Sequence, residues 1–270
     1  MRRFFHAAAD RLATMADYRW IDRAEDLVAA AEGWRAAGEI AVDTEFVFER
    51  TFRPQLGLIQ VAGGGDIALV DPRSVGDLAP LAAVLRDAAT RKLLHAASGD
   101  VAVLRLATGE VPAPLLDTQV AAAFAGLGTG LSYAALVREL LAIDLPKHET
   151  RTDWLRRPLS AEQLRYAAED VLHLPPVAAE LERRLVELGR LDWALEESAR
   201  LAGGEESPAP DEAWRRVRGI DRLPPRARRI ARLLAVWRER EAERLDLARP
   251  FLLRDATLLA LSRREQIEAH

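Results

Sequence analysis

EIAVDTEFVF, residues 39–48, has the apolar content of a buried strand and two acids inside it. Ile40, Ala41 and Val42, then Phe46, Val47 and Phe48, suit a sheet interior, while Asp43 and Glu45 do not. Strand side chains alternate faces, so Asp43 and Glu45 share one face and Val42, Thr44 and Phe46 the other. Two like charges so close raise each other's cost of ionisation, and one keeps its proton unless a cation sits between them. Taken alone, a D-x-E pair is more often a polar strand face meeting solvent or an arginine than a metal site. The rest of the chain decides.

Outward from this strand, Tyr18–Ile21 reads as a short strand and residues 22–37 as an alanine-rich amphipathic helix. LGLIQVA (56–62) and DIALVD (66–71) read as two strands joined by the turn signal Gly63-Gly64-Gly65, an antiparallel hairpin. The pattern then changes to helix 77–88, strand KLLHAA (92–97), helix 99–108, a short strand at Leu115-Leu116, and helices from Asp117 and Leu131. Strands alternating with helices predict parallel pairing through crossovers. Ser160-Ala-Glu-Gln163 has the form of a capping box, so a helix starts at Ala161 and Pro175-Pro176 kinks or breaks it before a further stretch to Leu188. The fold class is α/β: a mixed sheet flanked by helices, with a small all-helical C-terminal domain.

Composition narrows the function classes. The 270 residues suffice for one large domain or an ordinary one plus a small one. They include no cysteine, which excludes a disulfide framework and any thiolate zinc site and fits a cytoplasmic protein. No stretch approaches a membrane span, and Asp10 and Arg11 interrupt the apolar run a secretory signal needs. MADYRWI, from Met15, would make a natural beginning, so residues 1–14 read as an upstream extension, and residues 1–16 as the N-terminal extension that precedes the exonuclease domain. Net charge is −4, but residues 1–206 carry −9 and residues 207–270 carry +5. An acidic body with a basic tail fits two solvated surfaces, or a body that holds cations and a tail that holds phosphates.

Two further acids bear on the D-x-E pair. Asp100 follows LLHAASG, where a strand gives way to a helix, the position at which open α/β sheets bind ligands; alone it is more often a helix cap. YAAED places Tyr166 and Asp170 four residues apart on one face of the capped helix, with Glu169 pointing elsewhere as a solvated residue.

In this order and spacing the motifs AVDTEF, PQLGLIQVA, LLHAASGDVAVL, LDTQVAAAFAG, TDWLRRPLS and YAAEDVLHL resemble the DEDD-type 3′-to-5′ exonucleases of the tyrosine subclass, and among them the ribonuclease D group. The resemblance implies a ribonuclease H-like sheet and two divalent ions, magnesium or manganese. Asp43, Glu45 and Asp170 would hold one ion, Asp43 would bridge to the second, and Asp100 would support that one. Tyr166 would orient the attacking water. The implied activity is 3′-to-5′ exoribonuclease hydrolysis releasing nucleoside 5′-monophosphates, with tRNA precursors bearing 3′ extensions as the substrate and no obligate protein partner. Two alternatives stay open: a DNA-directed exonuclease, since the same carboxylates serve either backbone, and a non-catalytic RNA-binding module on the same scaffold.

The exonuclease domain is expected over residues 17–200, a Gly- and Pro-rich linker over 201–210, and a helical domain over 211–270. AWRRVRGIDRLPPRARRIARLLAVWRERE and LLRDATLLALSRR resemble the start of an HRDC domain, apparently incomplete before His270. Its Arg215, Arg216 and Arg218, with Lys147 in the loop before the capped helix, are candidate RNA-binding residues through phosphate contacts; a solvated helix face is the alternative. Several other residues have plainer explanations: His95 a core or hydrogen-bonded role, His173 a helix face, and Asp117 a helix cap. Trp154 is expected to pack the loop entering the capped helix.

Overall fold

The EIAVDTEFV run forms a strand in the middle of a six-stranded sheet. The computed structural model describes residues 17–146, 152–203 and 209–264. The expected extension at 1–16 and Lys147 lie outside the described residues. In chain order the strands are β1 (Arg19–Ile21), β2 (Glu39–Val47), β3 (Gln55–Gly63), β4 (Asp66–Val70), β5 (Arg91–Leu94) and β6 (Leu115–Asp117). Across the sheet the order is β1-β4-β3-β2-β5-β6. The glycine turn makes β3 and β4 antiparallel, as a tight connection must. β2–β5, β5–β6 and β1–β4 are parallel. This is the mixed sheet the sequence pattern predicts.

The helices that cover it are α1 (Ala24–Ala37), α2 (Pro72–Val75), α3 (Ala79–Arg86), α4 (Ser98–Thr108), α5 (Thr118–Phe124), α6 (Tyr133–Leu141), α7 (Ala161–Leu172), α8 (Leu174–Leu188) and α9 (Leu191–Gly203). Alternation along β2 sorts its side chains between two layers. Ile40 and Val42 pack with Leu27 and Trp34 of α1, Leu81 and Leu85 of α3, and Leu104 of α4. Ala41 packs on the other side with Ala167, Ala168 and Val171 of α7 and Leu181 of α8. Burial of each such leucine or isoleucine is worth about 1.5–3 kcal/mol, which fixes the register and with it the side to which Asp43 and Glu45 turn. Gly63 at the end of β3 lies so close to β2 that an added Cβ would meet Ile40 Cγ2 at 2.7 Å.

The structure moves some expected boundaries. KLLHAA does not stay extended to Ala97. β5 ends at Leu94, opposite the last residue of β6, and Ala96 adopts φ 54° because the Asp117 carboxylate takes the amides of Ala96 and Ala97 at 3.0 and 2.8 Å. α9 continues to Gly203, with Ala202 in the core, so the first residues of the stretch expected as a linker are helical. Pro175 and Pro176 do break the helix: α7 ends at Leu172 and α8 starts at Leu174 with both prolines in its first turn.

The chain divides into two units, and Phe48–Gln55, although it connects β2 to β3, belongs with the C-terminal one. There the amides of Phe52 and Arg53 donate to Asp246 Oδ1, Arg53 pairs with Glu243 at 2.7 Å, and Ala248 N–H donates to the Arg50 carbonyl. The unit contains a 3-10 turn at Pro210–Arg216, α10 (Pro225–Arg244), α11 (Arg249–Leu252) and α12 (Asp255–Ser262) around Val217, Ile220, Leu223, Ala231, Ala235 and Leu258. No helix among the described residues is long and apolar enough to cross a membrane.

Candidate metal centre

Parallel pairing brings the acids toward one end of the sheet. With Ala41 opposite Leu93, the carboxyl ends of β2 and β5 point the same way, and the chain leaving β5 passes beside the second half of β2. Asp100, in the first turn of α4, therefore reaches Thr44, and its Oδ1 accepts from the Thr44 amide at 3.1 Å and the Thr44 hydroxyl at 2.5 Å. From the other layer comes α7, started by the capping box: Ser160 Oγ accepts from the Gln163 amide, and Gln163 Oε1 from the Ser160 amide. Its small residues Ala167 and Ala168 are wholly buried, so the helix seats closely on the sheet. Asp170 then stands beside Asp43 and Glu45, with one carboxylate oxygen of each within 4.8 Å of the others.

Such crowding has an electrostatic consequence. Asp43 is raised well above the usual carboxylate range, first by burial and then by the charges of Asp100, Asp170 and Glu45. Glu45 is pushed up to about 8 by burial and by Asp170 and Asp100. Asp170 rises to about 7 through burial, opposed by a hydrogen bond from Tyr166 and reinforced by Glu169 and Asp100. Asp100 rises to about 6, burial outweighing the two bonds from Thr44. No cation among the described residues offsets the charge of Asp43, Glu45 or Asp170.

Of the five side chains singled out in the sequence, the fold gathers Asp43, Glu45 and Asp170 and joins Tyr166 to Asp170 by a hydrogen bond. Asp100 is not one of that triple; Thr44 holds it in the α4 layer, and its charge acts on Asp43 ahead of those of Asp170 and Glu45. Glu169, expected to be solvated, is half-buried and raises Asp170. Trp154 is buried beside the entrance to α7, with its ring 6.1 Å from that of Tyr166. Phe46 lies on the face opposite Asp43, where an added Cβ on Gly99 would meet its Cζ at 3.2 Å. His95 takes the hydrogen-bonded role expected, to Thr118 Oγ1 and the Leu131 carbonyl, and burial lowers its pKa. His173 is buried at the α7–α8 break rather than on a helix face.

In the C-terminal unit Arg215 pairs with Glu212, and Arg216 with the buried Glu239 at 3.1 Å; Arg218 is exposed. The Arg232 guanidinium lies 3.9 Å over the Trp214 ring.

Three supports near the acids escaped the sequence reading. Asp117 caps α5, as expected, through the amides of Gln119 and Val120, but the same carboxylate also holds Ala96 and Ala97 and so fixes the loop that delivers Asp100. Arg157 ties the segment before α7 to the sheet, pairing with the buried Asp71 at 2.7 Å and donating to the carbonyls of Gly57 and Trp154. Gly57 is forced by the same approach: an added Cβ would lie 2.8 Å from the Trp154 carbonyl oxygen. The D-T-Q junction and the R-P pair were visible in sequence, but nothing local named their backbone partners.

Three converging carboxylates form a hard-oxygen donor set suited to Mg²⁺, Mn²⁺ or Ca²⁺ and unsuited to soft metals. Their raised pKa values show that the cluster is held together against its own repulsion, which a divalent cation would offset. The residues fit a metal centre.

A family model described as 3′-5′ exonuclease matches residues 18–186. Ribonuclease D of Pseudomonas paraeruginosa is 43% identical over 252 residues, 93% of this chain and 66% of that protein. Ribonuclease D of Xanthomonas oryzae pv. oryzae is 42% identical over 247 residues, 90% of this chain and 67% of the relative. A crystal structure of Escherichia coli RNase D, described as an exoribonuclease involved in structured RNA processing, matches with a TM-score of 0.87 at 42% identity, over 92% of this chain and 66% of that one. The chain spans about two thirds of the length of these relatives.

Proposed function

Since the chain belongs to the 3′-5′ exonuclease family, in its ribonuclease D group, we propose that it is a metal-dependent exoribonuclease that removes nucleoside 5′-monophosphates from RNA 3′ ends. The observation that carries this reading is the meeting of Asp43 and Glu45 from β2 with Asp170 from α7, whose oxygens lie within 4.8 Å of one another. These three would hold a divalent ion, Mg²⁺ or Mn²⁺, and Asp43 with Asp100 would take part in holding a second. When bound, such ions supply the positive charge that stabilises the attacking and leaving oxygens of an in-line displacement at phosphorus. Water adds to phosphorus as the bond to the 3′ oxygen of the preceding nucleotide breaks.

The protein's own groups do the positioning. Burial and neighbouring carboxylates drive Tyr166 further above the ordinary phenol value of 10, so it stays protonated throughout the working range. It cannot serve as a base, and with its one hydrogen given to Asp170 it keeps lone pairs that can accept from water and so orient it. Its bond to Asp170 ties that hydroxyl to the metal-binding face of α7. Thr44 holds Asp100 by two hydrogen bonds at the other side of β2. The basic C-terminal unit, read as HRDC-like, would contact RNA backbone through exposed residues such as Arg215 and Arg218, with Arg216 and Lys147 as further candidates. The substrate class is tRNA precursors with 3′ extensions.

The test is to incubate the purified chain with 5′-labelled tRNA bearing extra 3′ nucleotides and with a matched DNA strand, in Mg²⁺, Mn²⁺ or chelator. A ladder on RNA that chelator abolishes is the expected result. A ladder on DNA alone, or binding without cleavage, would overturn the assignment.

A further inference from the structure

We propose that Tyr133 is the positioning residue that sets the turn of α7 carrying Asp170, through a hydroxyl inserted into the helical hydrogen-bond ladder between Glu169 and His173. In an uninterrupted helix the His173 amide would donate to the Glu169 carbonyl. Instead the Tyr133 hydroxyl donates to that carbonyl at 3.1 Å and accepts from the His173 amide at 3.1 Å, the amide lying also toward Val171 O. A hydroxyl has one hydrogen to give and lone pairs to accept with, so it replaces the missing rung without leaving a backbone group unpaired. Asp170 lies inside the bridged segment.

The prolines do not make this insertion redundant. Pro175 and Pro176 lack the amides that would serve the carbonyls of Val171 and Leu172, so the helix must break near them. They do not determine how the preceding turn is wedged; an inserted side chain does.

The wedge is itself braced. The Tyr133 ring packs against His95 at a centroid distance of 5.7 Å, and the His95 ring is held at both nitrogens, by Thr118 Oγ1 at 2.9 Å and by the Leu131 carbonyl at 3.1 Å. Thr118 in turn lies 3.1 Å from the carbonyl of Leu94, the last residue of β5. A chain of contacts thus runs from the strand ends through His95 and Tyr133 to the backbone on both sides of Asp170. Removing the hydroxyl leaves the Glu169 carbonyl and His173 amide to close on each other or to admit water, and either response shifts Asp170 relative to Asp43 and Glu45.

The inference rests on the metal-centre reading above, and its test separates the two. Mn²⁺ is titrated calorimetrically into the full metal-free chain, without RNA, for the wild type, Tyr133→Phe and Ser132→Ala. The last removes the N-cap of α6, where Ser132 Oγ accepts from the Ala135 amide, and leaves the inserted hydroxyl in place. Tyr133→Phe is expected to weaken Mn²⁺ binding by about tenfold, the scale of groups that orient metal ligands. Ser132→Ala is expected to bind as the wild type does. In the RNA assay Tyr133→Phe should raise the Mn²⁺ midpoint and leave KM for RNA unchanged.

Unchanged Mn²⁺ affinity in Tyr133→Phe, equal weakening in Ser132→Ala, or a wild type that takes up no Mn²⁺ overturns the proposal. A wild type that binds Mn²⁺ but leaves RNA intact overturns the ribonuclease assignment alone.

Discussion

Replacing Glu45 with glutamine should make the metal-free protein progressively more stable than the wild type as pH rises from 5 to 7. Glu45 is pushed from 4.5 to about 8, by burial and then by the charges of Asp170 and Asp100. Between those values the unfolded chain has lost the proton and the native chain keeps it. The native state therefore binds more protons, and its stability falls as pH rises through this window. One retained proton costs about 1.4 kcal/mol per pH unit, so the two units from pH 5 to 7 amount to about 3 kcal/mol. Glutamine resembles the protonated acid and does not titrate, so the wild-type minus variant difference reports this group together with its coupling to Asp43. It removes the opposing contribution of His95 and His173, whose pKa values are lowered by burial and whose share of stability rises with pH. At about 2–4 °C per kcal/mol for a protein of this size, the gap in Tm should widen by roughly 6–12 °C. Differential scanning calorimetry in chelator at pH 5, 6, 7 and 8 measures it. Excess Mn²⁺ should then reverse the order, because ligand bound only by the native state stabilises it by mass action. A gap that stays flat from pH 5 to 7, or that favours the wild type without metal, would refute the electrostatic account of the cluster.

Other substitutions separate the roles of neighbouring groups. Asp43→Asn should bring hydrolysis down to background while the chain melts in chelator no lower than the wild type, since it removes a crowded, half-buried charge; activity gels and circular dichroism check both halves. Tyr166→Phe should lower kcat by about 10–100-fold, the cost of a misplaced reactant, with the Mn²⁺ midpoint unmoved; a shifted midpoint would make it a metal-holding group. Asp117→Ala should cost about 2–4 kcal/mol in urea unfolding, from a lost helix cap and amides left without an acceptor. A loss under 1 kcal/mol would mean that water replaces the carboxylate.

Much of the fold could be read from sequence because its determinants are local. The apolar runs of residues 39–48, the glycine turn after Ala62, the capping box at Ser160 and the paired prolines each act within a few residues, and each forms the expected element. The acids were legible for a related reason: strand alternation puts Asp43 and Glu45 on one face, and helical spacing does the same for Tyr166 and Asp170. What could not be read depends on partners far along the chain. β5 stops at Leu94 because of a carboxylate some twenty residues later. Phe48–Gln55 joins the C-terminal unit through atoms of residues 243–248. Asp100 is held by Thr44, a contact 56 residues apart in sequence that no spacing rule encodes. Tyr133 was invisible for another reason: both of its partners are backbone groups, which leave no residue signature.

The supports around the acids have one property in common. Asp117 holds the amides of residues 96 and 97, Arg157 holds the carbonyls of Gly57 and Trp154, and Tyr133 holds the backbone at 169 and 173. None of these bonds uses an oxygen of Asp43, Glu45 or Asp170. A fold selected for stability alone would neutralise three half-buried carboxylates with arginine, as it does elsewhere: Arg91 serves Glu39 and Glu182, and Arg157 serves Asp71. Among the described residues the chain instead fixes the backbone beneath the cluster and gives its oxygens hydrogen bonds from Tyr166 and the Thr44 amide but no cationic partner, so that the repulsion between the acids is left standing where they meet. Such a site gains most from a divalent cation, since the repulsion the fold has already built in is released when the charge arrives.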